Sequence, residues 1–387
     1  MRIGIDCRKI LNPEKGESAG VGHYTYHLVL NLLQLDTQNE YVLFFDRSVR
    51  SKRIAKFKKP NTTIRYFPFS QYTRFLPERY TQYLISAMLE REKLDVFHAT
   101  ISELPKNYSG FSVITLHDLA EFKTPESFPR KDREELCRRT ADALNKADRI
   151  ITVSNATKDD LLYLFEIDPN RVQVIYHGVD KRFFETNSKE EIQRVKNKFK
   201  ITDNYILYLG TIEPRKNILR LVRAFEELKK QHRADSDVTE KYQLVLAGGL
   251  GYGAKSKIQK IQQSEFKSDI IIPGYIKPDD IGALYQGASV FAFPSLYEGF
   301  GIPALEAMAK SVPVLASDLP SLPEIVSSAA YLVNPLEEKE IFKGLFKLIT
   351  DQNLRGQLIT AGIKRAHEFV WADTARQTLQ VYKSRAL

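Results

Sequence analysis

Short apolar runs alternate along this chain with segments whose apolar residues recur every three or four positions. The runs are "RIGID" (2–6), "YVLFF" (41–45), "TIRYF" (63–67), "DVFHA" (95–99), "SVITLHD" (112–118), "RIITVS" (149–154) and "VQVIYHG" (172–178). Helical spacing falls between them, at 22–35, 78–92, 131–146 and 155–165. Val/Ile-rich strands without polar alternation are buried on both faces, and strands separated by helices pair in parallel. The expected class is therefore α/β, with doubly wound parallel sheets.

The alternation pauses over "KRFFETNSKEEIQRVKNKFKITDN" (181–204), which is charged and contains no strand run. It resumes with "YILYLG" (205–210), "YQLVLAGG" (242–249), "DIIIPGY" (269–275), "ASVFAFPS" (288–295), "PVLAS" (313–317) and "AAYLV" (329–333), interleaved with helical segments. A chain of 387 residues also exceeds what one hydrophobic core usually supports. Two domains are expected, 1–182 and 205–370, with 183–204 as a linker plus a short helix. No internal sequence repeat links them.

Cys7 and Cys137 stand far apart, in no metal or redox spacing, so a reducing cytosol is expected. "MRIGIDCRKI" lacks the apolar stretch of a signal peptide. No run approaches the roughly 18–20 apolar residues of a membrane span. The net charge of +9 is concentrated: residues 47–93 hold twelve Lys/Arg against three acids, an excess equal to that of the whole chain. Arg53, Lys56, Lys58, Lys59, Arg74 and Arg79 lie in this stretch among Tyr66, Phe67, Phe69, Tyr72, Phe75, Tyr80 and Tyr83. Cations interleaved with aromatic rings suit an anionic membrane surface or an anionic acceptor, and a solvated basic face reads the same way. No nucleic-acid-binding module accompanies them.

In open α/β sheets, ligands bind beyond the carboxyl ends of strands, at helix N-termini. The unusual residues fall in those loops. Gly20 and Gly22 open the first helix, though two glycines in a loop are commonplace, and Thr25 breaks the Gly-x-Gly-x-x-Gly pattern of a dinucleotide site. His117 ends a strand, as a polar clamp, a proton shuttle or a structural histidine. "YLGTIEPRKNI" sets Glu213, Arg215 and Lys216 before a helix, where two cations oppose the macrodipole unless an anion lies between them. That anion is read as a diphosphate. Gly274, Tyr275 and Ile276 offer backbone and a flat ring to a nucleobase, and a helix-capping turn would use the same residues. "SLYEGFGIPALEAMA" (295–309) places Glu298 and Glu306 around Gly299, Phe300 and Gly301, whose backbone N–H groups suit an anion. Asp235 and Asp237 spell Asp-x-Asp, but in a polar loop at the other end of the sheet, so no metal is expected.

"EGFGIPALE" is similar to the Glu-x7-Glu motif of retaining glycosyltransferases of family 4, which have the GT-B fold. The glycines at 20–22, His117, "GVD" at 178–180, the Arg215–Lys216 pair and "SDLPSLPEI" follow in the family's order, so the resemblance covers essentially the whole chain. It implies two Rossmann-like domains facing across a cleft, with a nucleotide-sugar donor held mainly by the C-terminal one. Arg215 and Lys216 would then bind the diphosphate, Glu306 the ribose, and Glu298 the sugar hydroxyls, with backbone contacts from Phe300 and Gly301. Gly22 would approach the diphosphate from the N-terminal side, and His117 would contact the transferred sugar.

The resemblance also implies a last helix, about 371–387, that rejoins the N-terminal domain and is anchored by Trp371. It implies front-side displacement without cofactor or metal, with double displacement through Glu298 as the alternative route to retention, and a glycan or lipid-linked acceptor. "TIEPRKN" and "SDLPSLPEI" look most like bacterial mannosyltransferases of surface polysaccharides, which use GDP-mannose. A UDP-sugar-dependent glucosyltransferase and a non-catalytic scaffold subunit are the alternatives. The expected location is cytoplasmic, peripheral at the inner face of the cell membrane.

Overall fold

The computed structural model describes residues 1–10, 20–49, 54–67, 78–235 and 241–386, with the backbone alone at 78–81, 231–235 and 386. Its strands are β1 (Arg2–Asp6), β2 (Glu40–Asp46), β3 (Thr62–Phe67), β4 (Val96–Ala99), β5 (Ser112–Leu116), β6 (Arg149–Thr152), β7 (Val172–Val174), β8 (Asn204–Leu209), β9 (Tyr242–Ala247), β10 (Ile270–Gly274), β11 (Val290–Phe293), β12 (Val314–Ser317) and β13 (Tyr331–Val333). The helices of the first half are α1 (Val21–Leu35), α2 (Glu78–Arg91), α3 (Ala120–Lys123), α4 (Arg130–Lys146), α5 (Asn155–Leu164) and α6 (Lys189–Phe199). Those of the second are α7 (Ile218–Asp235), α8 (Ala254–Ile261), α9 (Pro278–Gln286), α10 (Ile302–Ala309), α11 (Leu322–Val326), α12 (Glu338–Thr350), α13 (Gln352–His367) and α14 (Trp371–Lys383).

The chain forms two compact units. The first comprises Met1–Leu119, Glu134–Gly178 and Val370–Leu387; the second comprises Ala120–Arg133 and Val179–Phe369. Each is built on one sheet, of order β3-β2-β1-β4-β5-β6-β7 in the first and β10-β9-β8-β11-β12-β13 in the second, with every pairing parallel. The central strands are buried along their length, as "SVITL" in β5 and "VFAF" in β11 show, which is why they carry no polar alternation. These are two Rossmann-like parallel-sheet domains.

Strand order reverses beside the first strand of each sheet. The switch point lies between β1 and β4 in the first unit and between β8 and β11 in the second. Chains leaving those two neighbours depart to opposite faces, which opens the crevice where such folds bind ligands.

Two stretches group differently from the sequence expectation. Residues 183–204 belong to the second unit and are no free tether. There α6 starts at a capping box of Ser188 and Glu191 and is tied to α9 through Lys198 and Arg194, which reach Asp280 at 2.5 and 2.9 Å. Residues 120–133 also group with the second unit. The expected strands 112–118 and 172–178 end at Leu116 and Val174, so His117 and His177 lie just past the ladder. Helix α14 packs on α1 within the first unit, and its Trp371 is buried. Gly178 is required there, because a Cβ would sit 2.2 Å from the Trp371 backbone nitrogen.

Candidate active site

The second unit gathers its charged residues at the switch point. After β8 the chain makes a 3-10 turn, Pro214–Lys216, closed by Asn217 in the left-handed region at φ 60°. Asn tolerates that conformation better than most residues. Its buried amide donates to the carbonyls of Pro294 (3.0 Å) and Pro335 (2.7 Å), which fastens the turn to the end of β11. The Leu296 amide donates to the Arg215 carbonyl at 2.7 Å. Two strand-to-helix loops are thus locked together before any side-chain charge is considered.

Glu298 sits in that junction with both oxygens engaged. Lys216 Nζ lies 2.5 Å from Oε1, and Arg215 Nη1 lies 3.4 Å from Oε2. Arg215 also donates to the Tyr297 carbonyl at 3.1 Å and pairs through Nε with Glu213 at 2.6 Å. The side chains of Lys216 and Glu298 are each 9% exposed, so this is a buried ion pair. Burial lowers the Lys216 pKa, with Glu298 acting against it. Burial alone would raise the Glu298 pKa, but the charges of Lys216 and Arg215 outweigh it and the net shift is downward. Glu298 is therefore ionised at neutral pH, held so by the two cations. The anion between the two cations, expected to be a ligand phosphate, is here the protein's own carboxylate.

Eight residues on, Glu306 has a different environment. It is buried on α10 and accepts a hydrogen bond from Tyr285 of α9 at 3.0 Å. Burial pushes its pKa up to about 7, the Arg182 charge and the Tyr285 hydrogen bond opposing that rise. The turn between the two glutamates depends on Gly301, which has φ 100° and would bring a Cβ to 2.5 Å from Leu322 Cδ2.

In the first unit, His117 follows β5. Its Nε2 lies 2.9 Å from the carbonyl oxygen of Thr100, just past β4. A carbonyl only accepts, so Nε2 carries the proton and Nδ1 presents its lone pair. The ring meets Tyr24 edge-on at 4.8 Å and stacks on His177 at 5.6 Å. Burial lowers the His117 pKa, with the Thr100 carbonyl and Asp118 acting against it, which keeps the imidazole neutral at pH 7.

Two family models match in tandem. The one described as Glycosyltransferase Family 4 matches residues 18–183, and the one described as Glycosyl transferases group 1 matches residues 189–365. The chain belongs to the family 4 glycosyltransferases. It is 29% identical to the O-antigen chain mannosyltransferase B of Escherichia coli over 386 residues, 96% of this chain and 97% of that one. It is 30% identical to the serotype-specific mannosyltransferase WbdA of Escherichia coli over 286 residues, 73% of this chain but only 34% of that much longer protein. Among solved structures, HepE of Anabaena in complex with UDP and glucose superposes with a TM-score of 0.74 at 16% identity, covering 99% of both chains. That likeness is one of fold, GT-B.

Within this glycosyltransferase, the expected donor residues Arg215, Lys216, Glu298, Gly299, Phe300, Gly301 and Glu306 lie in the two loops of one switch point and the helix that follows. Phe300 turns its ring inward against Phe369 at 5.7 Å, which leaves its backbone for any ligand contact. After β10, Tyr275 is 44% exposed while the Ile276 side chain is in the core, so Ile276 too could offer only its backbone. Gly20 caps α1 and Gly22 is buried in its first turn. Lys56, Lys58 and Lys59 are exposed beyond β2, with Lys56 Nζ 3.2 Å from the Tyr26 hydroxyl. Arg53 and Arg74, the side chain of Arg79, and the Asp-x-Asp side chains fall outside the described residues.

Three structural partners escaped the sequence reading. Tyr285 sits mid-helix with no local signal. Asn217 goes unremarked in "EPRKNI", although an Asn closing a Pro-initiated turn marks a left-handed position. Tyr24, between the two proposed glycines and a helical apolar stripe, reads as ordinary core.

Proposed function

We propose that this glycosyltransferase moves mannose from GDP-mannose to a glycan or lipid-linked acceptor, with retention at the anomeric carbon and without a metal. The observation that carries the reading is the Arg215–Lys216 corner, two adjacent cations at the β8/β11 switch point held by the carboxylates of Glu213 and Glu298. A diphosphate brings more charge and more acceptor oxygens to one place than either carboxylate does, so it can draw both cations to itself. On donor binding, Arg215 and Lys216 turn to the diphosphate, and Glu298 is released to accept hydrogen bonds from the hexose hydroxyls. Glu306 accepts from the ribose, and the backbone at Gly274, Tyr275 and Ile276 meets the base. Mannose as the sugar follows the O-antigen chain mannosyltransferase B of Escherichia coli, the relative this chain matches over nearly its whole length.

The chemistry is front-side displacement. The bond from the anomeric carbon to the β-phosphate oxygen breaks, the acceptor oxygen bonds to that carbon on the same face, and the acceptor proton passes to a β-phosphate oxygen. GDP leaves. Stabilising the negative charge on the departing diphosphate is the dominant contribution, supplied by Arg215 and Lys216 in a site already arranged for it. His117 accepts a hydrogen bond through Nδ1 from a hydroxyl of the transferred sugar.

The exposed lysines 56, 58 and 59, with the rest of the basic stretch 47–93, would hold the enzyme to anionic lipid on the cytoplasmic face, where a lipid-linked acceptor resides. No helix among the described residues is long and apolar enough to cross a membrane.

The test is hydrolysis of GDP-mannose by the purified enzyme in EDTA, followed by NMR of the released sugar. Release of α-mannose first supports retention without a metal. Release of β-mannose first, or cleavage of UDP-glucose in preference to GDP-mannose, would overturn the mechanism or the donor respectively.

A further inference from the structure

Five histidines of the first unit, His23, His27, His98, His117 and His177, gather with Tyr24, Tyr382 and Trp371 at the carboxyl ends of its strands and on the two helices packed there. One line of hydrogen bonds runs through this cluster. Tyr382 of α14 places its hydroxyl 2.6 Å from His98 Nδ1, and His98 Nε2 lies 2.8 Å from Thr115 Oγ1. Thr115 Oγ1 in turn is 3.0 Å from the Tyr24 hydroxyl. All four side chains are buried, with Tyr382, His98 and Thr115 fully so. Burial drives the His98 pKa down to about 3, so each ring nitrogen has one fixed role, donor or acceptor. The line ends on Tyr24, whose ring lies edge-on to His117 at 4.8 Å and to His177 at 4.9 Å.

We propose that Tyr24 is the positioning residue of the His117 imidazole, set in place by the buried relay of Thr115, His98 and Tyr382. Three contacts hold His117: the Thr100 carbonyl on its Nε2, the Tyr24 ring edge-on to it and the His177 ring stacked on it. Of the two rings, that of Tyr24 ends the hydrogen-bonded line. A tyrosine needed only for volume would not require a buried hydroxyl, and a hydroxyl in this place persists because it has a partner. The relay connects α14 to the histidine that contacts sugar, giving the last helix a part in the chemistry as well as in packing. The proposal rests on the reading that His117 touches the transferred hexose.

The test uses the full chain carrying Tyr24→Phe, Tyr382→Phe or His117→Ala, with histidine labelled in 15N. Two readouts apply: GDP-mannose hydrolysis, and the position of the His117 ring by the shifts of its resonances in long-range 15N–1H correlation. Tyr24→Phe should lower kcat about tenfold with KM within about twofold, and Tyr382→Phe about threefold, as expected for a lost buried hydrogen bond in a network. In both, the His117 ring resonances should shift and broaden, while Nε2 keeps its proton against the Thr100 carbonyl. Folded variants with unchanged kcat and an unchanged His117 signal would overturn the proposal. Should Tyr24→Phe fail to fold, Tyr382→Phe decides alone. Full hydrolysis by His117→Ala would refute the sugar-contact reading, while the ring shifts would still decide positioning.

Discussion

The two units place their candidate residues at the same topological location, the strand ends at and beside a switch point, yet fill it with opposite chemistry. In the second unit the loops after β8 and β11 bring together two cations and two carboxylates, largely buried and mutually neutralised. In the first, the neutral imidazole of His117 past β5 meets a backbone carbonyl past β4 and rings from α1 and from the chain past β7. Charges gathered ahead of a ligand suit a group that arrives charged, because removing one of them from water has already been offset by its partner. Neutral donors and acceptors suit a hexose, which carries hydroxyls and no charge. The difference teaches that one fold, used twice, can present paired charges at the strand ends of one copy and neutral polar groups at those of the other.

The sharpest way to break this division is Lys216→Met, which keeps the side-chain bulk and removes the charge. Nucleotide affinity should fall about a hundredfold, the scale for truncating one partner of a buried charge pair. Stability should also drop, since Glu298 keeps only the longer contact to Arg215. Equal affinity for GDP in wild type and variant, by calorimetry, would remove the diphosphate assignment. His117→Ala provides the opposite arm. Turnover of GDP-mannose should fall about ten- to a hundredfold, in the range of a lost polar contact to the reacting sugar, while GDP affinity changes less than about twofold. A large loss of GDP affinity there would erase the contrast between the units.

The smallest expected effect is a pH dependence. Glu306 has its pKa raised to about 7, and in the proposed role ribose hydroxyls would bind its ionised form. Donor affinity should therefore be full above pH 7 and decline towards tenfold per unit below it, and Glu306→Gln should flatten the curve. Folding stability moves the other way. An acid whose folded pKa is raised favours the folded state most below its unfolded pKa, and that contribution is lost as pH rises through about 7. Affinity that rises with acidification would contradict the assignment of Glu306.

Strands and long helices were legible because their periods differ and their burial follows those periods. Helix α13 was not read. Its buried face is only Leu358, Gly362 and Ala366, and Gly362 is small because Met308 of α10 lies against it. A stripe of two small residues and one leucine gives no apolar signal. That residues 183–204 group with the second unit was hard to read for a related reason. α6 is charged along its surface, and its attachment to α9 runs through Asp280, an acid that looks solvated in sequence but is 2% exposed in the fold. In the site, the glutamates, the cations and the glycine turn stood out because their types conflict with simple stability. The engagement of Glu298 with both cations did not, because its partners lie some eighty residues away and meet it only through the parallel pairing of β8 with β11.

The central requirement is that the β8/β11 corner binds a nucleotide. Calorimetric titration of the purified chain with GDP, UDP, GDP-mannose and UDP-glucose, with and without EDTA, decides it. The predicted result is selective binding of GDP and GDP-mannose, unchanged by EDTA and lost in Arg215→Ala. Binding of no nucleotide at all, or binding that survives Arg215→Ala at full strength, would contradict it.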